Sequence, residues 1–340
     1  MSIRKLLTGL FVCFSIIIVS AQDLHFTNFR LAPLTINPAL AGAFNGTLRI
    51  GGVYRGQWLD VDGYKTPALY LDAPVIRGLR KNDWVGAGIS FFSDKSGVGG
   101  LTDTGGSLNV AYHLGLDKNN IRNNIAIGVS WGSISRKLTD PTNFRLRDEL
   151  IGGPATNSPD KQDLLSKMEG ESYTDWTAGV TLHYDLSKRN RLKTGIAAGH
   201  LTTPVNSILN DNRGKNGFKI TGFAQLELGM SDKFSIEPAL LFQLESPGKE
   251  LALQGLASYM LNPKKDLKLN AGLGYRIGDS AQLLFGATYG DLMLGASFDA
   301  NASSFQGATG FQNGFEIGAS YILKIYKKPN VKPVIICPRF

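Results

Sequence analysis

The chain has 340 residues, 43% of them hydrophobic and 19% charged, with 40 glycines, two cysteines and a formal net charge of +8. After the N-terminal leader, no stretch is continuously apolar over the roughly 20 residues that a spanning helix needs; the hydrophobic residues recur at period two instead. The basic balance comes with neither a basic helix nor a basic–aromatic ladder, which argues against nucleic acid as a partner.

Residues 1–21 have the form of a secretory signal peptide. Arg4 and Lys5 precede the apolar stretch from Leu6 to Val19, and Val19-Ser20-Ala21 supplies small residues before a cut ahead of Gln22. The residues before Cys13, Leu10-Phe11-Val12, lack the small side chains of a lipoprotein cleavage site. Loss of the leader takes Arg4 and Lys5 with it and leaves Cys337 as the only cysteine. An internal disulfide and a cysteine-based zinc site are then excluded. Residues 22–44 form an N-terminal segment, expected either in the periplasm or as a plug. Within it, Pro38 fixes a turn in Ile36-Asn37-Pro38-Ala39-Leu40-Ala41-Gly42 and restricts Asn37.

From residue 45 to 324 the chain falls into about fourteen short runs of alternating apolar and polar residues, the pattern of a transmembrane antiparallel β-barrel. In the first run Leu48, Ile50, Tyr54 and Trp58 share one face, while Arg49, Arg55 and Gln57 share the other. Thr66-Pro67 begins the second run and Asp72-Ala73-Pro74 ends it; Asp94-Lys95-Ser96-Gly97 follows the third as a turn. Alternation continues through Leu108, Val110, Tyr112 and Leu114, and is cleanest near the C-terminus, as in Leu267, Leu269, Ala271, Leu273 and Tyr275. Tyr or Trp often closes the apolar series, as in an interfacial aromatic girdle. A lipid-facing band on strand after strand is more than one soluble sandwich core requires.

The connectors alternate too. Those at 59–65, 94–102, 135–172, 203–216, 244–249 and 299–312 are mostly the longer, with 278–280 as an exception. Those at 74–82, 116–122, 187–190, 229–232, 262–265 and 290–291 include tight turns. Short turns face the periplasm in outer-membrane barrels, and an even strand count places both termini there. The short-turn side is basic, with Arg77, Arg80, Lys81, Lys118, Arg122, Lys188, Arg189, Lys264 and Lys265. These cations either solubilise exposed turns or form a rim that docks a partner or anionic lipid headgroups. Residues 325–340, with Pro329, Pro333 and Pro338, are expected to be an extended periplasmic tail.

No catalytic constellation emerges. His25, His113, His183 and His200 are scattered, and neither a Gly-x-Ser-x-Gly elbow nor a His-Glu-x-x-His helix accompanies them. Asp60-Val61-Asp62-Gly63 lacks the remaining ligands of a calcium loop and is read as a turn. No metal or cofactor is expected.

The order NPALAG, then YRGQW, then a proline-bounded strand and SDKSG resembles the PorP/SprF family of outer-membrane proteins of the type IX secretion system. The closing Cys337-Pro338-Arg339-Phe340 is similar as well, so the resemblance spans Gln22 to Phe340. Many members have Tyr where this chain has Leu40. The resemblance implies a non-enzymatic role: helping a secreted protein with a C-terminal sorting domain, such as a gliding adhesin, to reach or stay on the cell surface. It also implies possible association with periplasmic or motor components of the same system.

Asn37, Pro38, Arg49, Arg55, Gln57 and Trp58 are accordingly the interaction candidates, with Lys264 and Lys265 on the basic rim. Arg49, Arg55 and Gln57 are suited to hold the N-terminal segment or a cargo element through charge-assisted hydrogen bonds. The loop 136–172 offers the best outside surface for cargo. The alternative is a diffusion channel or hydrophobic-solute transporter, with a lumen lined by small polar residues.

Overall fold

The computed structural model describes residues 25–57, 64–97, 99–118, 120–140, 170–205, 215–245, 248–302 and 314–325. Residues 1–24, which include the expected leader, Trp58, most of the 136–172 loop, and Cys337 with nearly all of the expected tail lie outside the described residues.

Fourteen strands alternate along the chain: β1 (Leu48–Gln57), β2 (Tyr64–Arg77), β3 (Trp84–Ser96), β4 (Leu101–Gly115), β5 (Asn124–Leu138), β6 (Glu171–Asp185) and β7 (Asn190–Gly199), then β8 (Lys219–Gly229), β9 (Phe234–Glu245), β10 (Gly248–Asn262), β11 (Leu267–Arg276), β12 (Ser280–Tyr289), β13 (Leu292–Asn301) and β14 (Gly314–Leu323). Each pairs antiparallel with its sequence neighbours, and β1 pairs with β14 from Leu48↔Leu323 to Gln57↔Gly314. The sheet is therefore closed. Closure leaves no unpaired strand edge, which is what a sheet exposed to hydrocarbon requires.

The pleat sorts the side chains as the alternation predicts. Ile50, Leu69, Ile127, Leu273 and Phe285 point outward and are exposed, Leu273 by 67%, whereas inward-pointing Arg55 is 3% exposed. Apolar side chains on the outside and charged ones on the inside invert the arrangement of a soluble protein.

Several boundaries differ from the sequence reading: β5 runs on to Leu138, and β7 ends at Gly199 with β8 starting only at Lys219. β2 continues past Pro74 to Arg77, because the register shifts between Pro74 and Ile76 and an irregularity tolerates a residue without an N–H. β3 runs through Ser96, so the expected SDKSG turn is strand up to Ser96, with Gly97 turning at φ +68°.

Ahead of β1, the chain makes a 3₁₀ turn at Phe29–Leu31, one helical turn at Pro33–Ile36 and a second 3₁₀ turn at Pro38–Leu40. Its apolar residues are the core of the molecule. Phe29, Ile36 and Leu40 pack with Phe223, Ala239, Leu241 and Ala252. Phe26, Leu31 and Ala32 pack with Val53 and Ala68, and Leu34 and Ala41 pack with Tyr70 and Ala111. One short segment can touch strands on every side of a closed sheet only from inside it.

The segment also runs the full height of the lumen. His25 lies 3.8 Å from Glu250 at the start of β10, beside the longer connectors, whereas Thr47 N–H donates to Leu323 O (2.8 Å) at the short-turn end. The first and last described residues, His25 and Ile325, therefore lie at opposite ends of the barrel, where the sequence reading puts both flanking segments on one side. Strand parity fixes only the start of β1 and the end of β14, and the residues ahead of β1 cross back through the barrel.

Candidate functional site

The interface between this segment and the inner wall gathers most of the buried charge, in two clusters. The first surrounds Thr27. Its hydroxyl donates to Asp299 (2.7 Å) and accepts from Arg55 Nη1 (2.7 Å) and Arg276 Nη2 (3.0 Å). Its carbonyl accepts from Gln254 Nε2 (2.8 Å). The Glu316 carboxylate accepts the backbone N–H groups of Thr27 (2.9 Å) and Asn28 (2.7 Å). Arg55 in turn pairs with Asp299 at 3.0 Å and Glu316 at 3.6 Å, and Arg276 with Glu250 at 3.1 Å and Asp279 at 2.7 Å. Five strands (β1, β10, β11, β13 and β14) thus converge on one threonine and its neighbour. Asp279, in the turn between β11 and β12, is pushed up by burial, but the Arg276 guanidinium outweighs this and holds its carboxyl below the usual range.

The second cluster lies around the NPALAG motif, near the opposite end. Asn37 Oδ1 accepts Ala39 N–H (2.9 Å) and caps the Pro38–Leu40 turn, while Nδ2 donates to Val180 O (3.2 Å) and Ile196 O (3.0 Å) on β6 and β7. Pro38 begins that turn, where a missing N–H costs nothing. Ala39 lies against Gly128, where an added Cβ would come within 2.4 Å of the Ala39 nitrogen. Gly42 has φ +70°, and a Cβ on it would meet Gly86 Cα at 2.7 Å. Asp72, fully buried, accepts from Gly42 N–H (2.7 Å) and from Arg49 Nε and Nη2 (both 2.8 Å). Arg49 also donates to Leu40 O (3.2 Å) and lies over the Phe44 and Tyr70 rings. His113 Nε2 donates to Ala41 O (2.8 Å), and Trp84 stacks on its ring while donating to Gly42 O (3.0 Å). Every position of the motif is set by backbone approach or a buried hydrogen bond.

Of the residues singled out in the sequence, Asn37, Pro38, Arg49 and Arg55 all take part in this interface. Gln57 Oε1 accepts from Arg55 Nη2 (3.2 Å) at the edge of the Thr27 cluster. Trp58 lies outside the described residues. Lys264 and Lys265 are elsewhere, exposed on the turn after β10, where the Asn262 side chain caps their N–H groups. Sequence reasoning missed Thr27, Asp72 as a partner, His113, Arg276, Asp299 and Glu316. The available signal was a charged or imidazole side chain at an inward position among small residues.

A closed fourteen-stranded barrel with an apolar exterior and an internally hydrogen-bonded N-terminal plug defines a transmembrane β-barrel protein. The family model described as type IX secretion system membrane protein PorP/SprF matches residues 18–321, and the chain belongs to that family. Among solved structures it is similar to the P. putida toluene transporter TodX (12% identity, 88% of this chain and 95% of that one, TM-score 0.48). It is also similar to the KdgM porin (10% identity, 80% of this chain and 98% of that one, TM-score 0.36). A search of curated proteins finds no match.

Proposed function

We propose that this protein is a non-enzymatic, outer-membrane component of the type IX secretion system that helps export or anchors a secreted surface protein with a C-terminal sorting domain. In this reading the short turns face the periplasm, the longer connectors face outward toward cargo, and periplasmic or motor components of the system are further partners. The observation that carries it is the occupied lumen. Removing the segment would expose Phe26, Phe29, Leu31, Leu34 and Ile36, all buried. At about 1.5–3 kcal/mol for each such side chain, their burial alone holds it by on the order of 10 kcal/mol. A barrel filled so firmly suits a scaffold better than a conduit for solutes.

The test is affinity capture of the tagged protein from detergent-solubilised outer membrane, with planar-bilayer conductance measured on the same preparation. Recovery of a large protein with a sorting domain, from a barrel that conducts no ions, is the expected result. Solute-dependent conductance with the barrel recovered alone would overturn the reading in favour of a channel.

A further inference from the structure

The short-turn end carries a repeated feature that the plug does not explain. In five of its six turns, an exposed apolar residue is followed two or three positions later by an exposed lysine: Leu79 and Lys81, Leu116 and Lys118, Leu186 and Lys188, Met230 and Lys233, Leu261 and Lys264. Three other cations there are paired, Arg80 with Asp83, Arg189 with Asp232 and Lys324 with Asp291, while Arg77, Arg122 and Lys265 add further exposed charge to the same rim. Among the described residues, none of these five lysines makes an ion pair. Just inside the turns, Tyr112, Tyr184, Phe234, Tyr259, Tyr289 and Tyr321 are outward-facing and exposed. The order along the barrel axis is therefore an aromatic belt, then large apolar side chains, then unpaired ammonium groups.

We infer that this rim binds the headgroup phosphates of anionic phospholipid in the surrounding bilayer. The apolar residue of each pair reaches the acyl boundary, the tyrosines occupy the interface, and the lysine extends its stem outward to the phosphate layer. A zwitterionic lipid carries its own amine beside the phosphate, so the uncompensated charge of an anionic lipid is what an unpaired lysine selects. Two observations favour lipid over a protein partner. The lysines lie on turns spread round the circumference, whereas a docked protein covers one arc. Each also comes with an apolar neighbour that a soluble partner would leave wet elsewhere on the ring. A lysine near an anionic surface is worth roughly a fivefold gain in association.

The inference does not depend on the cargo reading and is tested separately. The full-length protein is equilibrated in mixed micelles of phosphatidylglycerol and phosphatidylcholine, and retained lipid is counted by native mass spectrometry. One variant replaces Lys118, Lys188, Lys233 and Lys264 with Gln; a control replaces the exposed Lys65, Lys137 and Lys249 at the other end. Both are first checked for folding by heat-dependent gel mobility. The preference for phosphatidylglycerol should fall at least fivefold in the rim variant, stay unchanged in the control, and weaken with salt in the wild type. An unchanged preference in the rim variant, an equal fall in the control, or loss of a co-purifying protein with lipid preference intact would each overturn the assignment.

Discussion

At the residue scale, the plug is held by side chains that each satisfy several partners. Asn37 makes three hydrogen bonds with one amide, to its own turn and to two strands. Asn37→Ala removes all three and strands buried backbone groups, so a loss of about 2–4 kcal/mol is expected, at about 1 kcal/mol or more per bond. A lowered temperature for the heat-induced gel shift would register it. Asp279 gives a pH signature. Its carboxyl is held below the ordinary value by Arg276, so it contributes stability above the unfolded pKa near 3.8 and loses it as pH falls through the lowered folded value. Asp279→Asn should therefore cost stability at neutral pH and narrow its gap to the wild type in acid, as thermal melts at stepped pH would show.

At the element scale, strands and plug differ in how far the sequence discloses them. The strands were legible because lipid on one face and a packed lumen on the other enforce period two, as Leu269, Leu273 and Tyr275 display. Boundaries slipped where Pro74 fell at a register irregularity, where β3 and β5 outlasted their apolar runs, and where β7 stopped early at Gly199. The segment before β1 has no such period. Whether it stayed in the periplasm or filled the lumen was open, because its partners lie far along the chain: Asn37 bonds Ile196, and Asn28 bonds Glu316, 288 residues away. Arg49 and Arg55 were visible as inward-facing charges, but not which backbone groups they would meet. Deleting residues 25–43 should leave a closed barrel, since the β1–β14 pairing does not use them. That variant is expected to conduct ions in a planar bilayer where the intact chain does not; a sealed deletion variant would refute the plug as the barrier.

At the scale of the whole molecule, the path of the segment fixes an asymmetry. His25 lies at the end with the longer connectors and Ile325 at the end with the short turns, where its N–H bonds Thr47. Impermeant labelling of a cysteine introduced at position 25 should follow the same sidedness as one introduced at Ala302, and the opposite sidedness from one at Leu79. Equal labelling of positions 25 and 79 would contradict the threaded path.

The seam of the barrel has a consequence for biogenesis. Thr27 belongs to the first part of the chain to be made, yet its partners Asp299 and Glu316 come from the last two strands. A nascent or truncated chain lacking β13 and β14 keeps Arg55, Gln254 and Arg276 but has neither carboxylate to accept from the Thr27 hydroxyl and the Thr27 and Asn28 N–H groups, and no closed wall around the apolar side chains that follow. Complete seating of this segment therefore waits for the last two strands, and a loosely held segment marks an unfinished barrel for any chaperone or protease that recognises exposed apolar chain.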